Sequence, residues 1–231
     1  MKKFLFIFLG IVINHCVFAQ AVTKNGQITT TGSIYVSSNG AIGATNGVNN
    51  NGKIVLAAIP HALGDTYQGG IIFYLLQSGD PGYSASVQHG LIAAPTDQST
   101  STTWGCATEI GSGAQGQALG TGATNTAAII SGYTTSGCTT SAIAAQLCKN
   151  LTTGGYTDWY LPSILELTQL YTNQSYVGNL SNSSAYWSSS EYVDTHPSDS
   201  ADDAYYFVFP SGSPSVTYKL GTAYVRAIRS F

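Results

Sequence analysis

The chain has 231 residues, of which 43% are hydrophobic and 11% aromatic, which is enough to bury the core of one large domain. Only 8% of the residues are charged, and the 26 glycines and 15 tyrosines favour a loop-rich, mostly extended protein over a helical one. The formal net charge of −3 argues against a surface that attracts nucleic acid or anionic lipid.

The first 19 residues have the pattern of a secretory signal peptide. Lys2 and Lys3 form a basic start, and residues 4–13 form an apolar stretch too short to span a bilayer. We predict cleavage after Ala19 and export of the chain to the periplasm, the cell surface or the medium. Cleavage would leave 6 basic and 11 acidic side chains, a net charge of −5. No later segment has the length and apolarity of a membrane span, so membrane insertion is not expected.

Residues 20–65 are predicted to form a short β-rich arm. The Asn-Gly pairs at 25, 39 and 51 are each followed by Ile two residues after the Gly, and Asn-Gly is the strongest short hairpin signal. Three hairpin or solenoid-like units would give a stalk, a packing arm or an oligomerising segment. A flexible linker is the alternative, because the segment is polar.

Residues 66–231 have the composition of a globular domain, with helices and strands that follow from their hydrophobic periodicity. The residues from 97 to 124 are predicted to be ordered loop. The predicted helices are 125–131, 141–151 and 164–171, and the predicted strands are 69–76, 90–94, 185–192, 204–209, 216–220 and 224–230.

Residues 162–166 have the pattern of a helix N-terminus. Ser163 and Glu166 fit a capping box, in which each side chain accepts a hydrogen bond from the other residue's backbone N–H. Pro162 brings the chain into the helix in an extended conformation. These three residues are therefore predicted to be structural.

Five sequence blocks resemble one family. They are "GGIIFYLL" (69–76), "GLIAAPTD" (90–97), "GGYTDWYLPSILEL" (154–167), "YWSSSEY" (186–192) and "VRAIR" (225–229). In this order they resemble the Lcl C-terminal-like domain family of exported bacterial proteins, named after a collagen-like adhesin. The resemblance implies an α+β, C-type-lectin-like domain with two main helices, a twisted antiparallel sheet and long loops, distantly similar to formylglycine-generating enzymes. It also implies surface adhesion, with glycans as the leading ligand class.

The aromatic residues of these blocks are candidate ligand contacts or core anchors. Trp159 and Trp187 are predicted to anchor the core, because large aromatic side chains dominate such cores. Tyr156, Tyr160 and Tyr186 are the candidate ligand contacts. Alternation in the strand puts Tyr186 and Trp187 on opposite faces, so at most one face would be exposed.

An acidic loop follows this strand. Its carboxylates could hold Ca²⁺ through Asp199, Asp202 and Asp203, since calcium takes six to eight oxygen ligands. A solvated acidic loop is the alternative. No other cofactor is expected, and Glu191 is predicted to be structural. The candidate ligand residues of this loop are Asp194, Asp199, Asp202 and Asp203.

Three cysteines would remain after cleavage: Cys106, Cys138 and Cys148. An exported chain with three cysteines is expected to form one disulfide and keep one free thiol. Three pairings are open. Cys148 lies on the apolar face of a predicted helix, so a buried free thiol there is one of the alternatives.

We predict a non-catalytic exported module that binds a glycan or a surface protein through loops 193–203 and 210–215. His61, His89 and His196 are widely spaced and match no metal or nucleophile motif, so an enzyme ranks third. The second hypothesis is a subunit of a surface fibre or multimer, assembled through the arm. Residues 65–231 hold four basic and 11 acidic side chains, so binding to highly sulfated glycans is not expected.

Overall fold

A computed structural model describes residues 60–136, 138, 142–193 and 202–231, together with five short strands between residues 22 and 58. The chain divides into two compact units, Met1–Pro60 and His61–Phe231. The predicted signal segment and the Asn-Gly pairs of the arm lie outside the described residues. Within the described residues, no helix has both the length and the apolarity needed to cross a membrane.

The first unit contains short strands that pair locally. Strands β1 and β2 are antiparallel, and β3 pairs antiparallel with β4 and parallel with β5. The strands are β1 (Val22–Lys24), β2 (Gln27–Thr29), β3 (Ser33–Val36), β4 (Ile42–Thr45) and β5 (Leu56–Ala58).

The second unit is an α+β domain, which confirms this part of the predicted fold, but its described strands form two sheets instead of the single antiparallel sheet that the resemblance implied. Its larger sheet has the strand order β12-β11-β10-β13-β9, and its smaller sheet has the order β14-β8-β7-β6. The strands are β6 (Thr66–Tyr67), β7 (Gly70–Leu75), β8 (Gly90–Ala93), β9 (Ser99–Thr103), β10 (Ala185–Glu191), β11 (Asp203–Val208), β12 (Ser213–Tyr218), β13 (Thr222–Val225) and β14 (Ile228–Ser230). The helices are α1 (Gly122–Ser136), α2 (Ala144–Lys149), α3 (Ile164–Thr172) and α4 (Gln174–Val177).

Two hydrophobic clusters hold the helices against the sheets. One contains Trp104, Trp159 and Trp187 together with buried residues of α1 and α2. The other contains Tyr186 and Phe207 together with buried residues of α3. Trp159 and Trp187 are only 1% and 0% exposed, as expected of core anchors.

Strand β10 is buried on both faces, whereas the sequence suggested that one face could be exposed. Residues 186–191 are all buried, and β10 lies in the middle of the five-stranded sheet. Tyr186 faces one hydrophobic cluster and Trp187 faces the other. A central strand covered on both sides has no surface left for a ligand.

Two predictions about strands are wrong. The predicted strand 224–230 is divided into β13 and β14, which belong to different sheets and are separated by Arg226 and Ala227. Strand β9 falls in a stretch predicted to be loop. It is polar because it forms the edge of the larger sheet, where it pairs antiparallel with β13.

The helices differ from prediction mainly in length and orientation. Helix α1 extends beyond the predicted 125–131, and α2 is shorter than the predicted 141–151. The buried side of α2 is formed by Ala144, Ala145 and Cys148, whereas Leu147 is only partly buried. These small side chains lie in the same hydrophobic cluster as Ile129 and Tyr133 of α1.

The disulfide joins Cys106 to Cys138, with Cα atoms 6.3 Å apart. It ties the segment after β9 to the end of α1. Cys148 is a buried free cysteine. The structure thus selects one of the three pairings that the sequence left open.

Candidate functional site

The start of α3 holds a long loop in place. Ser163 Oγ accepts a hydrogen bond from the Glu166 N–H, and Glu166 Oε2 accepts one from the Ser163 N–H at 2.8 Å, so the expected capping box is present. The other carboxylate oxygen accepts from the Gly120 N–H at 2.9 Å. Pro162 C=O accepts from the Ser189 N–H at 2.7 Å, which ties the helix entry to β10. Burial raises the pKa of Glu166.

Glu191 likewise holds a neighbouring loop in place through hydrogen bonds to its backbone. Its carboxylate accepts hydrogen bonds from the N–H groups of Ile110 and Gly111 at 2.7 and 2.9 Å. It also forms an ion pair with Lys219 Nζ at 2.6 Å, with both side chains fully buried. The Lys219 Nζ donates as well to the Thr108 C=O at 2.9 Å. The structure therefore gives Glu191 a structural role.

Arg226 and Arg229 belong to separate ion pairs. Arg226 Nε lies 2.8 Å from Asp97 Oδ1, and Arg229 donates to both oxygens of Asp158 at 2.8 Å. Arg229 also lies over the Tyr156 ring, 3.9 Å from its centroid, and it holds the pKa of Asp158 below its usual value. The two arginines are therefore each neutralised by a separate carboxylate.

Two of the predicted ligand tyrosines are core residues instead. Tyr160 is 5% exposed, and its hydroxyl lies 3.0 Å from Ser230 Oγ. Tyr186 is 0% exposed, and its hydroxyl donates to Asp97. Their burial takes both out of the candidate ligand surface. Tyr156 remains partly exposed beneath Arg229.

The acidic loop is only partly described. Asp194 and Asp199 lie outside the described residues, while Asp202 and Asp203 are partly exposed at the start of β11. Among the described residues, no group of three or more His, Cys, Asp or Glu side chains is placed to hold a metal ion. The calcium hypothesis therefore depends on residues outside the described part.

Strands β11 and β12 carry a surface on which Val216 and Tyr218 are exposed and Tyr205 is partly buried against the hydrophobic cluster of α3. Their register places Tyr205 opposite Val216 and Asp203 opposite Tyr218, and directly opposed residues point to the same side of a sheet. Val216 is 37% exposed and Tyr218 is 44% exposed. Phe207, on the same side of β11, is buried against Tyr171 of α3, with ring centroids 4.9 Å apart. Helix α3 thus covers this side of the two strands at Phe207 and leaves it open at Val216 and Tyr218.

Two further residues complete the open half. The Tyr192 ring meets the Tyr205 ring edge-on, with centroids 5.3 Å apart. Gln117 Nε2 donates to the Tyr205 hydroxyl at 3.4 Å. We call this surface the tyrosine face, and its residues are Gln117, Tyr192, Asp203, Tyr205, Val216 and Tyr218.

The tyrosine face combines aromatic rings with amide and carboxylate groups. Rings of this kind can stack on the apolar faces of sugars, while the polar groups can bond to their hydroxyls. Sequence reasoning selected the neighbouring loops but missed Tyr205 and Tyr218. The alternation of side chains between the two faces in "DAYYFV" and "SPSVTY" indicates these residues only when the register of the hairpin is known.

The other candidates for chemistry in the described part of the chain, Cys148, His89 and His61, are held in packing contacts. Burial raises the pKa of the Cys148 thiol, so this residue supplies no ready thiolate. His89 Nδ1 lies 3.0 Å from the Phe231 backbone oxygen, and the His61 ring packs on Tyr67 with centroids 3.9 Å apart. A nucleophile pair of Cys148 and His89 gains no support from these contacts.

Comparison with curated proteins gave no match. Comparison with protein-family models gave a match over residues 94–229, to the Lcl C-terminal domain. The match covers more than half of the chain and includes α1 to α4 and all five strands of the larger sheet, whereas β6, β7 and β8 of the smaller sheet precede it. The chain therefore belongs to the Lcl C-terminal domain family.

Proposed function

We propose that this protein is an exported, non-catalytic binding module that recognises glycans through the tyrosine face. The observation that carries the proposal is the exposed side of β11 and β12, where tyrosine rings stand beside Gln117 and Asp203. Binding sites of this kind join a large apolar contact to a few polar groups that set orientation. In this proposal the domain has a C-type-lectin-like arrangement, with the arm of residues 20–65 as a spacer from the cell surface.

The charge distribution favours uncharged glycans over sulfated ones. Of the four basic side chains in residues 65–231, Lys219, Arg226 and Arg229 are buried in ion pairs. The fourth, Lys149, donates to the Thr157 C=O. Sulfate recognition relies on clustered, accessible lysine and arginine, whereas Asp203 in the tyrosine face and the adjacent Asp202 repel anions.

A glycan-array screen of residues 20–231, run in calcium and again with a chelator, tests the proposal. We expect binding to neutral glycans, because ring stacking needs no opposite charge. Binding that the chelator abolishes would assign the acidic loop a calcium-dependent part in recognition. The absence of glycan binding under both conditions would contradict the proposal and favour a protein ligand.

The second candidate function is a subunit of a surface fibre or multimer. The strands β1 to β5 favour it, because the edge strands of such small sheets present backbone groups that can pair with another chain. Deleting residues 20–60 should then collapse a concentration-dependent assembly, as measured by light scattering. A chain whose mass is unaffected by this deletion would contradict the fibre hypothesis.

A further inference from the structure

Strand β12 has an outer edge to which no described strand is bonded, because it ends the order of the larger sheet. Its residues from Ser213 to Val216 and Tyr218 are exposed, and Thr217 is partly exposed. Exposed strand edges carry unpaired backbone groups that can pair with another chain. Pairing at this edge therefore depends on which backbone N–H and C=O groups of β12 point away from β11.

The hydrogen bonds around β11 fix this direction. Asp203 C=O accepts from the Tyr192 N–H at 3.1 Å, so Asp203 bonds toward β10. Asp202 C=O, one residue earlier, accepts from the Lys219 N–H at 2.7 Å and therefore bonds toward β12. The direction of the backbone hydrogen bonds alternates along a strand. The backbone of Asp203 is therefore not hydrogen-bonded to that of the opposed Tyr218, and the backbone of Tyr205 is not hydrogen-bonded to that of the opposed Val216.

It follows that the backbone groups of Pro214, Val216 and Tyr218 point to the open edge. Pro214 has no N–H, and this outward position is where a proline costs no bond to β11. The Tyr218 C=O already accepts from the Gly221 N–H at 2.8 Å. The groups that remain are the Val216 N–H and C=O, the Tyr218 N–H and the Pro214 C=O.

This set is self-complementary. In an antiparallel pair centred on Val216, each Val216 exchanges both of its backbone hydrogen bonds with the same residue of the other copy. Each Tyr218 N–H then meets the Pro214 C=O of the other copy. Pro214 has no N–H to donate, and it lies opposite the Tyr218 C=O of the other copy, which already accepts from the Gly221 N–H. We infer that two copies of the chain pair through β12 and continue the larger sheet across a two-fold axis at Val216.

The charges near β12 permit this contact. No charged residue occurs from Ala204 to Tyr218, although natural edge strands are commonly guarded by charged residues, lysine above all. In the pair, the two Asp203 side chains would be roughly 20 Å apart by strand spacing and rise. That distance exceeds the screening length of about 8 Å at physiological ionic strength. A second copy fits better than a foreign peptide, because self-pairing matches the missing donor to the occupied acceptor, whereas a foreign peptide would need a proline opposite Tyr218 to do so.

The pair would set two tyrosine faces on one continuous sheet. A glycan chain that reaches both faces would then bind with avidity beyond that of a single face. The pairing itself does not depend on glycan binding, since it rests on the backbone of β12 alone.

Light scattering of residues 20–231 across micromolar to submillimolar concentration tests the pair. We expect the mass to rise to that of two chains. Val216→Pro removes the outward N–H and should stay a single chain at every concentration, while Val216→Thr keeps the N–H and should still pair. Thermal unfolding of both variants checks that each is folded. A wild-type chain that stays single, or a Val216→Pro chain that still pairs, would overturn the inference.

Oxidative cross-linking gives a second test that needs no loss of function. Opposed Val216 Cα atoms in a hydrogen-bonded pair would be about 5.5 Å apart, within disulfide range. Val216→Cys should therefore form cross-linked pairs under mild oxidation. Ser211→Cys, exposed at the turn of the same hairpin, should not, because its two copies would lie far from the axis. Equal cross-linking of the two variants would contradict pairing at Val216.

Discussion

Lys219, Arg226 and Arg229 are buried, and each forms an ion pair with a carboxylate that also lies in or beside a loop. Their partners come from distant parts of the sequence, such as Glu191 for Lys219 and Asp97 for Arg226. The few charges of this domain therefore act mainly as internal ties. This explains how a chain with 8% charged residues can still fix long loops.

Lys219→Ala should lower the free energy of unfolding by about 3–5 kcal/mol, because it leaves the Glu191 carboxylate buried without its cation. Chemical denaturation measures the loss. Lys149→Ala is the control, since this lysine is exposed and its removal should change stability by less than about 0.5 kcal/mol. Equal effects of the two substitutions would show that the buried ion pair does not hold the loop.

Glu166 should give the stability a distinct pH dependence. Its folded pKa is raised above the ordinary value of 4.5, so the folded carboxyl keeps a proton that the unfolded one has lost. The free energy of unfolding should therefore fall as pH rises above about 4.5 toward the folded pKa. Glu166→Gln should flatten this part of the profile, as measured by denaturation from pH 4 to pH 8.

The exposed Glu109 provides the control for that experiment. Glu109→Gln should leave the wild-type slope in place, because this side chain is solvated. A Glu166→Gln profile that follows the wild type at every pH would contradict the assignment.

At the scale of elements, the segment from Trp104 to Thr121 contains only a short 3-10 helix at Ser112–Ala114 and depends mainly on attachments to other elements. Glu191 holds it at Ile110 and Gly111, Glu166 holds it at Gly120, and the disulfide holds it at Cys106. Each attachment comes from a different element. The segment should therefore loosen in stages when they are removed.

Reduction of the disulfide should destabilise the second unit by about 2–4 kcal/mol, the usual effect of closing a loop of this size. Thermal unfolding with and without reductant measures the change. The double variant Cys106→Ser and Cys138→Ser should unfold at the temperature of the reduced wild type. It should also be insensitive to reductant, and any remaining sensitivity would point to Cys148.

Local signals made some elements predictable and not others. Helix α3 follows from the Ser163 and Glu166 capping box, which is encoded within four residues. Strand β9 and the break at Arg226 depend on distant partners, β13 and Asp97, which the local pattern does not contain. The tyrosine face was missed for the same reason, because it exists only once the β11 and β12 register brings Tyr205 beside Val216.

At the scale of the whole molecule, export is the first consequence to test. Intact-mass analysis of protein from cell fractions should find a chain that begins at Gln20 outside the cytoplasm, because residues 1–19 have the pattern of a cleaved signal peptide. Ala19→Arg should block cleavage and leave the longer precursor. A chain that retains Met1 and accumulates in the cytoplasm would contradict export.

Affinity of the tyrosine face for a glycan selected on the array, measured by titration calorimetry, tests the proposed function most directly. Tyr205→Ala and Tyr218→Ala should each weaken binding roughly tenfold or more, the effect of losing about 1.4 kcal/mol of contact. Tyr83→Ala is the matched control, because Tyr83 is also 44% exposed but lies in the loop between β7 and β8. Loss of affinity confined to the two face variants is the predicted result. Unchanged affinity in both, or an equal loss in Tyr83→Ala, would contradict glycan recognition by the tyrosine face.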